Sequence, residues 1–396
     1  MAPLSTSRSR VSSCSAPEAP TLSRTIVLSA NSDWNIANFR TGLIHALSEA
    51  GFRPVVIAPR DAAADRRMRE LGVERIAIDV DRSGVNPWTD FRLIARYRRL
   101  LKRLRPTAYL GYTIKPNIYG SLAAASLGIP AIPNVSGLGT AFIRQGTLQQ
   151  LVTRLYRIAF RRSPVVFFQN GEDRQLFIER QIVREEQARV LPGSGVDLER
   201  FTPAPSVKGP AVFLLIGRLL RDKGVVEFVE AARLLRSEMP DARFQLLGPI
   251  DEGNRTAISN AELDEWVRSG VIEHLGTSDD VRPFIGAATA VVLPSYREGM
   301  PRSLLEAAAM SRPLVAADVP GCRDIVEDGV NGYLCAVRNA DSLASAMRRL
   351  AQLPLAQRLA MGQAARREVQ DRFSEELVVR AYLDVLAGLQ PAHPVI

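Results

Sequence analysis

Short apolar runs of about four or five residues alternate along most of the chain with stretches whose apolar positions recur three and four apart. Runs without polar alternation read as strands buried on both faces, and the intervening stretches as the helices that cover them. In the first half the strands are expected at 26–30, 54–58, 76–80, 108–112, 131–135, 165–169 and 189–191; in the second, at 212–216, 243–247, 271–275, 290–293 and 314–316. The expected fold class is α/β: two Rossmann-like, doubly wound parallel-sheet domains. The Gly- and Pro-rich stretch 192–210 separates the two series and is the natural hinge. The chain then divides into a first domain at 24–192, a linker at 193–210, a second domain at 211–371 and a closing segment at 372–396, whose positions 373–389 carry a last helical pattern. Residues 1–23, rich in Ser, Pro, Ala and Arg, read as a disordered leader and not as a signal peptide.

Composition adds little until charge is divided. With 396 residues, 46% hydrophobic and 23% charged, the chain is an ordinary two-domain length. No apolar run in it reaches bilayer-spanning length. Cys14, Cys322 and Cys335 and His45, His274 and His393 show no metal-ligand spacing, and the scarcity of cysteine fits a reducing, cytoplasmic setting. Residues 1–200, however, hold 29 Lys and Arg against 17 Asp and Glu (+12), whereas residues 201–396 hold 22 against 25 (−3). Between Phe91 and Gly171 there are 13 Lys and Arg and no acid. Two amphipathic helices, 92–105 and 148–162, carry much of that charge on their polar faces, as a helix lying on an anionic membrane does. A sheet-covering helix with a solvated back has the same look. A pI of 9.9 also raises nucleic acid as a partner, but aromatics are only 6% of the chain and form no stacking platform, so nucleic acid is not expected.

The chemistry concentrates at residues 295–306. Glu298 and Glu306 bracket a loop that turns into a helix. Pro301 fits the first helical position, which places the cap on Met300, a residue with no side-chain oxygen. The first donors, on Arg302, Ser303 and Leu304, are then left open at the positive end of the helix dipole, a place for a phosphate. Glu298 and Glu306 could accept hydroxyls on either side of it, although two acids near a helix start are commonly no more than dipole partners. Upstream, Arg218 and Lys223 follow the strand 212–216, where ligands collect in doubly wound sheets. The triplet Asp79-Val80-Asp81 has the form of a metal-binding Asp-x-Asp but reads as a strand end before the turn at 82–84. No metal is expected to take part.

Residues 295–306, followed by Ala316-Ala317-Asp318-Val319-Pro320-Gly321-Cys322, resemble the donor site of glycosyltransferase family 4, retaining enzymes of the GT-B fold. The loop Gly217-Arg218-Leu219-Leu220-Arg221-Asp222-Lys223-Gly224 resembles that family's diphosphate-binding segment. The resemblance runs from about residue 25 to the C-terminus and implies a UDP-sugar donor with no cofactor or metal. It also implies catalytic roles for Glu298, Arg218 and Lys223, and donor contacts from Gly217, His274, Gly299, Met300, Pro301, Arg302, Ser303, Leu304 and Glu306. At His274 the contact would come from the main chain. Three loops of the first half, 34–40, 113–120 and 136–140, resemble a narrower subgroup that extends sugars on undecaprenyl diphosphate, such as the N-acetylgalactosaminyltransferase acting on diacetylbacillosaminyl-diphospho-undecaprenol. They nominate Asn35, Arg40, Lys115, Asn117, Gly137 and Gly139 as acceptor-binding residues.

Two departures from the family are plain: Ser32-Asp33-Trp34-Asn35 stands where many members carry adjacent glycines, and Tyr112 lies near a common histidine. In GT-B proteins the last helix crosses back to the first domain, which is expected of 372–396. The expected function is transfer of a sugar, of the N-acetylhexosamine class, from a UDP-sugar to a polyprenyl-diphosphate-linked saccharide by a protein peripheral to the cytoplasmic face of the inner membrane. The alternatives are a nucleotide-sugar 2-epimerase of the same fold and a nucleic-acid-binding protein.

Overall fold

The computed structural model describes residues 24–81, 87–137 and 147–389. The leader at 1–23, the turn at 82–84, Gly139 and the last residues of the 372–396 segment lie outside the described residues. The first sheet contains β1 (Thr25–Ser29), β2 (Arg53–Ala58), β3 (Glu74–Ala77), β4 (Ala108–Tyr112), β5 (Ala131–Val135), β6 (Val166–Phe168) and β7 (Ala188–Val190). The second contains β8 (Val212–Ile216), β9 (Arg243–Leu247), β10 (Glu273–His274), β11 (Ala290–Leu293), β12 (Leu314–Ala317) and β13 (Gly332–Cys335). Their orders are β3-β2-β1-β4-β5-β6-β7 and β10-β9-β8-β11-β12-β13, with every pair parallel. Each sheet reverses direction once, between β1 and β4 and between β8 and β11, and these switch points position the site.

Three strands differ from the sequence reading. β3 lies at 74–77 and not at 76–80. It is an edge strand, where Glu74 and Arg75 are tolerated, while Ile78 and Val80 stay buried without extending the ladder. β10, at the edge of the second sheet, shrinks to two residues of the expected 271–275. β13 was not expected at all, because its opening glycine and the preceding Gly329 and Asn331 look like a turn. Gly332 is required there: a Cβ would stand 2.9 Å from the Leu314 carbonyl carbon of β12.

One face of the first sheet is covered by the helices Pro87–Leu104, Ser121–Ala125, Thr147–Phe160 and Gly171–Glu179, whose Leu93, Tyr97, Ala123, Tyr156 and Phe177 share one core. The other face is covered by Asp33–Phe39, Thr41–Glu49, Asp65–Glu70 and the C-terminal helix Glu375–Ala387. That last helix buries Val378, Tyr382 and Val385 against Leu28 and Tyr112, and the Tyr382 hydroxyl accepts from Asn134 Nδ2 at 3.0 Å. The chain therefore passes between domains twice, and the two passages touch. Val196 N–H donates to Phe373 O and Glu375 N–H to Val196 O, both at 3.0 Å. Gly195, at φ +69°, permits this approach, since a Cβ there would stand 2.7 Å from Glu375 N. Among the described residues no helix is long and apolar enough to cross a membrane.

Candidate active site

At the β8/β11 switch point two loops meet. After β8 the chain passes Gly217 and Arg218, makes one 3-10 turn at Arg221–Lys223, and enters the helix Val225–Leu235 through Gly224 at φ +72°, packed against the Pro294 carbonyl. The loop after β11 leads to the helix Arg302–Ala309. Lys223 Nζ lies 2.5 Å from Glu298 Oε1, and the fully buried Ser295 donates its hydroxyl to the same oxygen at 2.6 Å. Tyr296 N–H donates to Asp222 O at 2.9 Å and its hydroxyl to Glu227 at 2.6 Å, so the loops are joined along their length. Arg218 does not join them. Its side chain is 55% exposed at the rim and pairs with Asp251 at 2.6 Å.

The helix start differs from the sequence reading by one residue. Pro301 is the cap, with extended ψ of 113°, and Arg302 is the first helical residue, so Met300 lies outside the helix. No side chain caps this end either way, and the N–H groups of the first turn, on Arg302, Ser303 and Leu304, remain available. Leu304 itself is buried in the core, Ser303 is half-buried, and Met300 packs against Gly193. Arg302 pairs with Glu306 at 2.7 Å. Burial pushes the Glu306 carboxyl above its ordinary range, and the Arg302 charge opposes that. His274 spends its imidazole on the scaffold, with Nε2 3.1 Å from Gly248 O.

Across the cleft, the β1/β4 switch point carries the acceptor-side candidates. Asn31 N–H donates to Thr113 Oγ1 at 3.1 Å, with Thr113 held at φ +66°, a strained value for a β-branched residue. Asn35 is half-buried at the start of the first helix, its N–H accepted by the Ser32 cap at 3.3 Å. Arg40 is 3% exposed, lies 4.1 Å over the Tyr112 ring, and has an Nε without a hydrogen-bond partner. Lys115 turns inward to Asp90 at 3.0 Å, and Asp90 also accepts the Tyr119 hydroxyl at 2.8 Å. Asn117 is buried and donates to Asn134 O at 2.8 Å. Both brace the scaffold, which leaves Arg40 as the acceptor-side cation with a spare donor. Gly137, two residues past β5, takes φ +141°. Asp79 is 96% exposed on its side chain and pairs with Arg96 at 3.2 Å.

Contacts between the domains bring Gly299 and Arg302, which the sequence nominated, against residues that it did not. Arg297 pairs with the buried Asp173, and Asn170 Nδ2 donates to Gly299 O at 3.1 Å. Burial raises the Asp173 carboxyl, while the adjacent Arg297 lowers it. Arg323 reaches Glu172 at 3.1 Å, and Arg302 donates to Asn38 O with its guanidinium 5.4 Å over Phe39. One signal was available: Glu172 and Asp173 are the acids that end the acid-free window.

Two parallel-sheet domains that present opposed switch points to one another, one of them with an uncapped helix start beside a Lys–Glu pair, define a GT-B glycosyltransferase. Residues 36–193 match the family described as Glycosyl transferase 4-like domain and residues 210–352 the family described as Glycosyl transferases group 1, and the chain belongs to these family 4-like glycosyltransferases. It is 30% identical over 327 residues to the N,N'-diacetylbacillosaminyl-diphospho-undecaprenol alpha-1,3-N-acetylgalactosaminyltransferase of Campylobacter jejuni, covering 78% of this chain and 84% of that one. It is 26% identical over 275 residues to the UDP-Gal:alpha-D-GlcNAc-diphosphoundecaprenol alpha-1,3-galactosyltransferase of Escherichia coli, covering 66% and 70%. The fold is shared with Anabaena HepE in complex with UDP and glucose, at a TM-score of 0.76 and 18% identity over 92% of this chain and 100% of HepE.

Proposed function

We propose that this glycosyltransferase moves a sugar, an N-acetylhexosamine in our reading, from a UDP-sugar to a saccharide carried on polyprenyl diphosphate, with retention at the anomeric carbon and without a metal. The observation that carries the reading is the Lys223–Glu298 pair at the β8/β11 switch point, beside the uncapped start of the helix Arg302–Ala309. The helix start and Lys223 would hold the diphosphate, with Arg218 swinging in from the rim. Glu298 would accept the sugar hydroxyls and Glu306 the ribose. The developing charge on the leaving phosphate is the main barrier to breaking the glycosyl–phosphate bond, and fixed cations and backbone dipoles lower it. The acceptor hydroxyl attacks from the face the phosphate leaves: the new C–O bond forms as the old one breaks, and the acceptor proton passes to the departing phosphate oxygen. Arg40, buried and short of a partner, suits the acceptor diphosphate.

The first domain's outer face supports docking at the cytoplasmic face of an anionic membrane. The helix Pro87–Leu104 turns Asp90, Leu93, Tyr97 and Leu101 inward and leaves Trp88 75% and Phe91 67% exposed, ahead of Arg92, Arg99, Lys102 and Arg103. The helix Thr147–Phe160 lies in the same layer, with Ile158 62% exposed beside Arg154 and Arg157. Both basic segments grip the short helix between them, through Arg98 to Ser126 and Arg162 to Ala125 O. Aromatic residues beside a basic face suit an anionic lipid surface.

The test is UDP release from a panel of UDP-sugars, with and without a short-chain polyprenyl-diphosphate saccharide, in EDTA throughout. Acceptor-dependent release in EDTA is expected, and it names the donor in the same run. Release that ignores the acceptor, or none with any pair, refutes the reading.

A further inference from the structure

Glu298 stands between two residues that the other domain holds. On one side, the Arg297 guanidinium pairs with Asp173, whose side chain is 1% exposed. On the other, the Gly299 carbonyl accepts from Asn170 Nδ2 at 3.1 Å. The two gripping groups are fixed to each other: Asn170 Oδ1 accepts Asp173 N–H at 2.7 Å, and Asn170 Nδ2 lies 3.2 Å from Asp173 Oδ2. The grip is tight. A Cβ on Gly299 would stand 2.5 Å from the Ser136 carbonyl oxygen and 3.0 Å from Gln169 Oε1. Behind it, a Cβ on Gly321 would stand 2.5 Å from the Gly299 carbonyl oxygen. The peptide carrying Glu298 is thus pressed between Gly321 of its own domain and the 136 and 169–173 segments of the first.

A buried ion pair contributes little net stability, because the desolvation of both charges offsets their attraction, but it specifies one geometry strictly. At this seam the pair joins Asp173 of the first domain to Arg297 of the second, so it forms only when the two domains meet. The groups assigned to UDP, namely Lys223, Glu306 and the backbone N–H groups of the helix start, belong to the second domain; there only the Arg302 side chain, which reaches Asn38 O, touches the first. We propose that Asn170 and Asp173 are positioning residues that set Glu298 against the donor sugar from the acceptor-carrying domain, so that the sugar is placed for reaction only when the two domains are together. The proposal rests on the transferase reading above. It makes binding of the nucleotide and placement of the sugar separable, with domain contact governing the second.

The experiment uses the full chain with Asp173→Asn, Asn170→Ala and Arg297→Lys, and Glu172→Ala as a control in the same seam. Three quantities are read: UDP affinity by calorimetry, kcat and KM for transfer, and amide hydrogen exchange of the segment 296–300. Expected are a UDP Kd within about twofold of wild type, a kcat lower by roughly 10- to 100-fold, and exchange in 296–300 faster by about tenfold or more. Arg297→Lys should fall between wild type and Asp173→Asn, and the control should match wild type. Unchanged exchange, unchanged kcat, or a loss of UDP affinity in step with kcat each overturns the proposal. Should Asp173→Asn fail to fold, Arg297→Lys decides, since its side chain is one-third exposed. If wild type transfers no sugar, the transferase reading fails, while the exchange measurement still decides whether the first domain holds the Glu298 loop.

Discussion

Replacement of Lys223 by alanine separates electrostatic catalysis from architecture. The ammonium is 2.5 Å from Glu298 Oε1 with its side chain 26% exposed, so water screens it in part. At an effective dielectric near 20, a unit charge ~4 Å from a phosphate oxygen that gains about half a charge stabilises the transition state by ~2 kcal/mol. That alone is ~30-fold in rate. The substitution also leaves the Glu298 carboxylate with only the Ser295 hydroxyl, and an unneutralised anion beside a departing diphosphate adds a repulsion of similar size. Together these predict a fall in kcat of ~10²- to 10³-fold, the range found for losing one preorganised oxyanion donor. Stability should change little, since a partly exposed pair is worth ~0–1 kcal/mol. Single-turnover UDP release at saturating donor, paired with a thermal melt, measures both. A kcat within about threefold of wild type would refute the assignment of Lys223 to the leaving group.

Burial holds Glu306 above the ordinary glutamate value of about 4.3, so the folded protein keeps that proton more tightly than the unfolded chain does, and stability falls as pH rises through the raised value. Thermal melts across the acid range should show Glu306→Gln gaining on wild type as pH rises, and a constant gap contradicts the sign. Gly321→Ala places a Cβ at φ +80° against the carbonyls of Gly299 and Glu298, and should cost ~1–3 kcal/mol by denaturant titration with a matching loss of turnover. Unaltered turnover would show that the loop tolerates displacement. Trp88→Ala with Phe91→Ala should abolish most sedimentation with vesicles containing anionic lipid, while UDP release from a water-soluble acceptor stays at the wild-type level. Wild type that ignores anionic vesicles excludes the docking surface.

Most strand positions and the two-domain parallel-sheet plan were legible because parallel strands buried on both faces leave mostly apolar runs, which β1, β4, β8 and β11 all do. The Glu298–Glu306 spacing was legible because a short loop and a helix start are local events. β13 was not, since its glycine answers to the Leu314 backbone of a neighbouring strand and not to its own propensity. Lys115 looked free for a ligand because nothing local reveals Asp90, 25 residues upstream on a covering helix. Asp173 and Arg297 are 124 residues apart, and a contact across a domain seam leaves no periodic trace in either segment. The helix start moved by one residue because Pro301 fits the cap as well as the first turn, and side-chain pattern alone does not choose between them.

The two chain passages between domains, joined by Val196, Phe373 and Glu375, have a consequence for how such enzymes diversify. The second half, 197–373, is a single uninterrupted cassette whose two ends emerge side by side. The first half is its discontinuous host, completed by the helix Glu375–Ala387. A recombination that replaces the cassette at those paired ends exchanges one second domain for another while leaving the host core and its covering helix whole. A single crossover in the linker, by contrast, marries the host sheet to a foreign final helix. Tyr382 and its fit to Tyr112, Phe167 and Asn134 would then decide whether the hybrid folds.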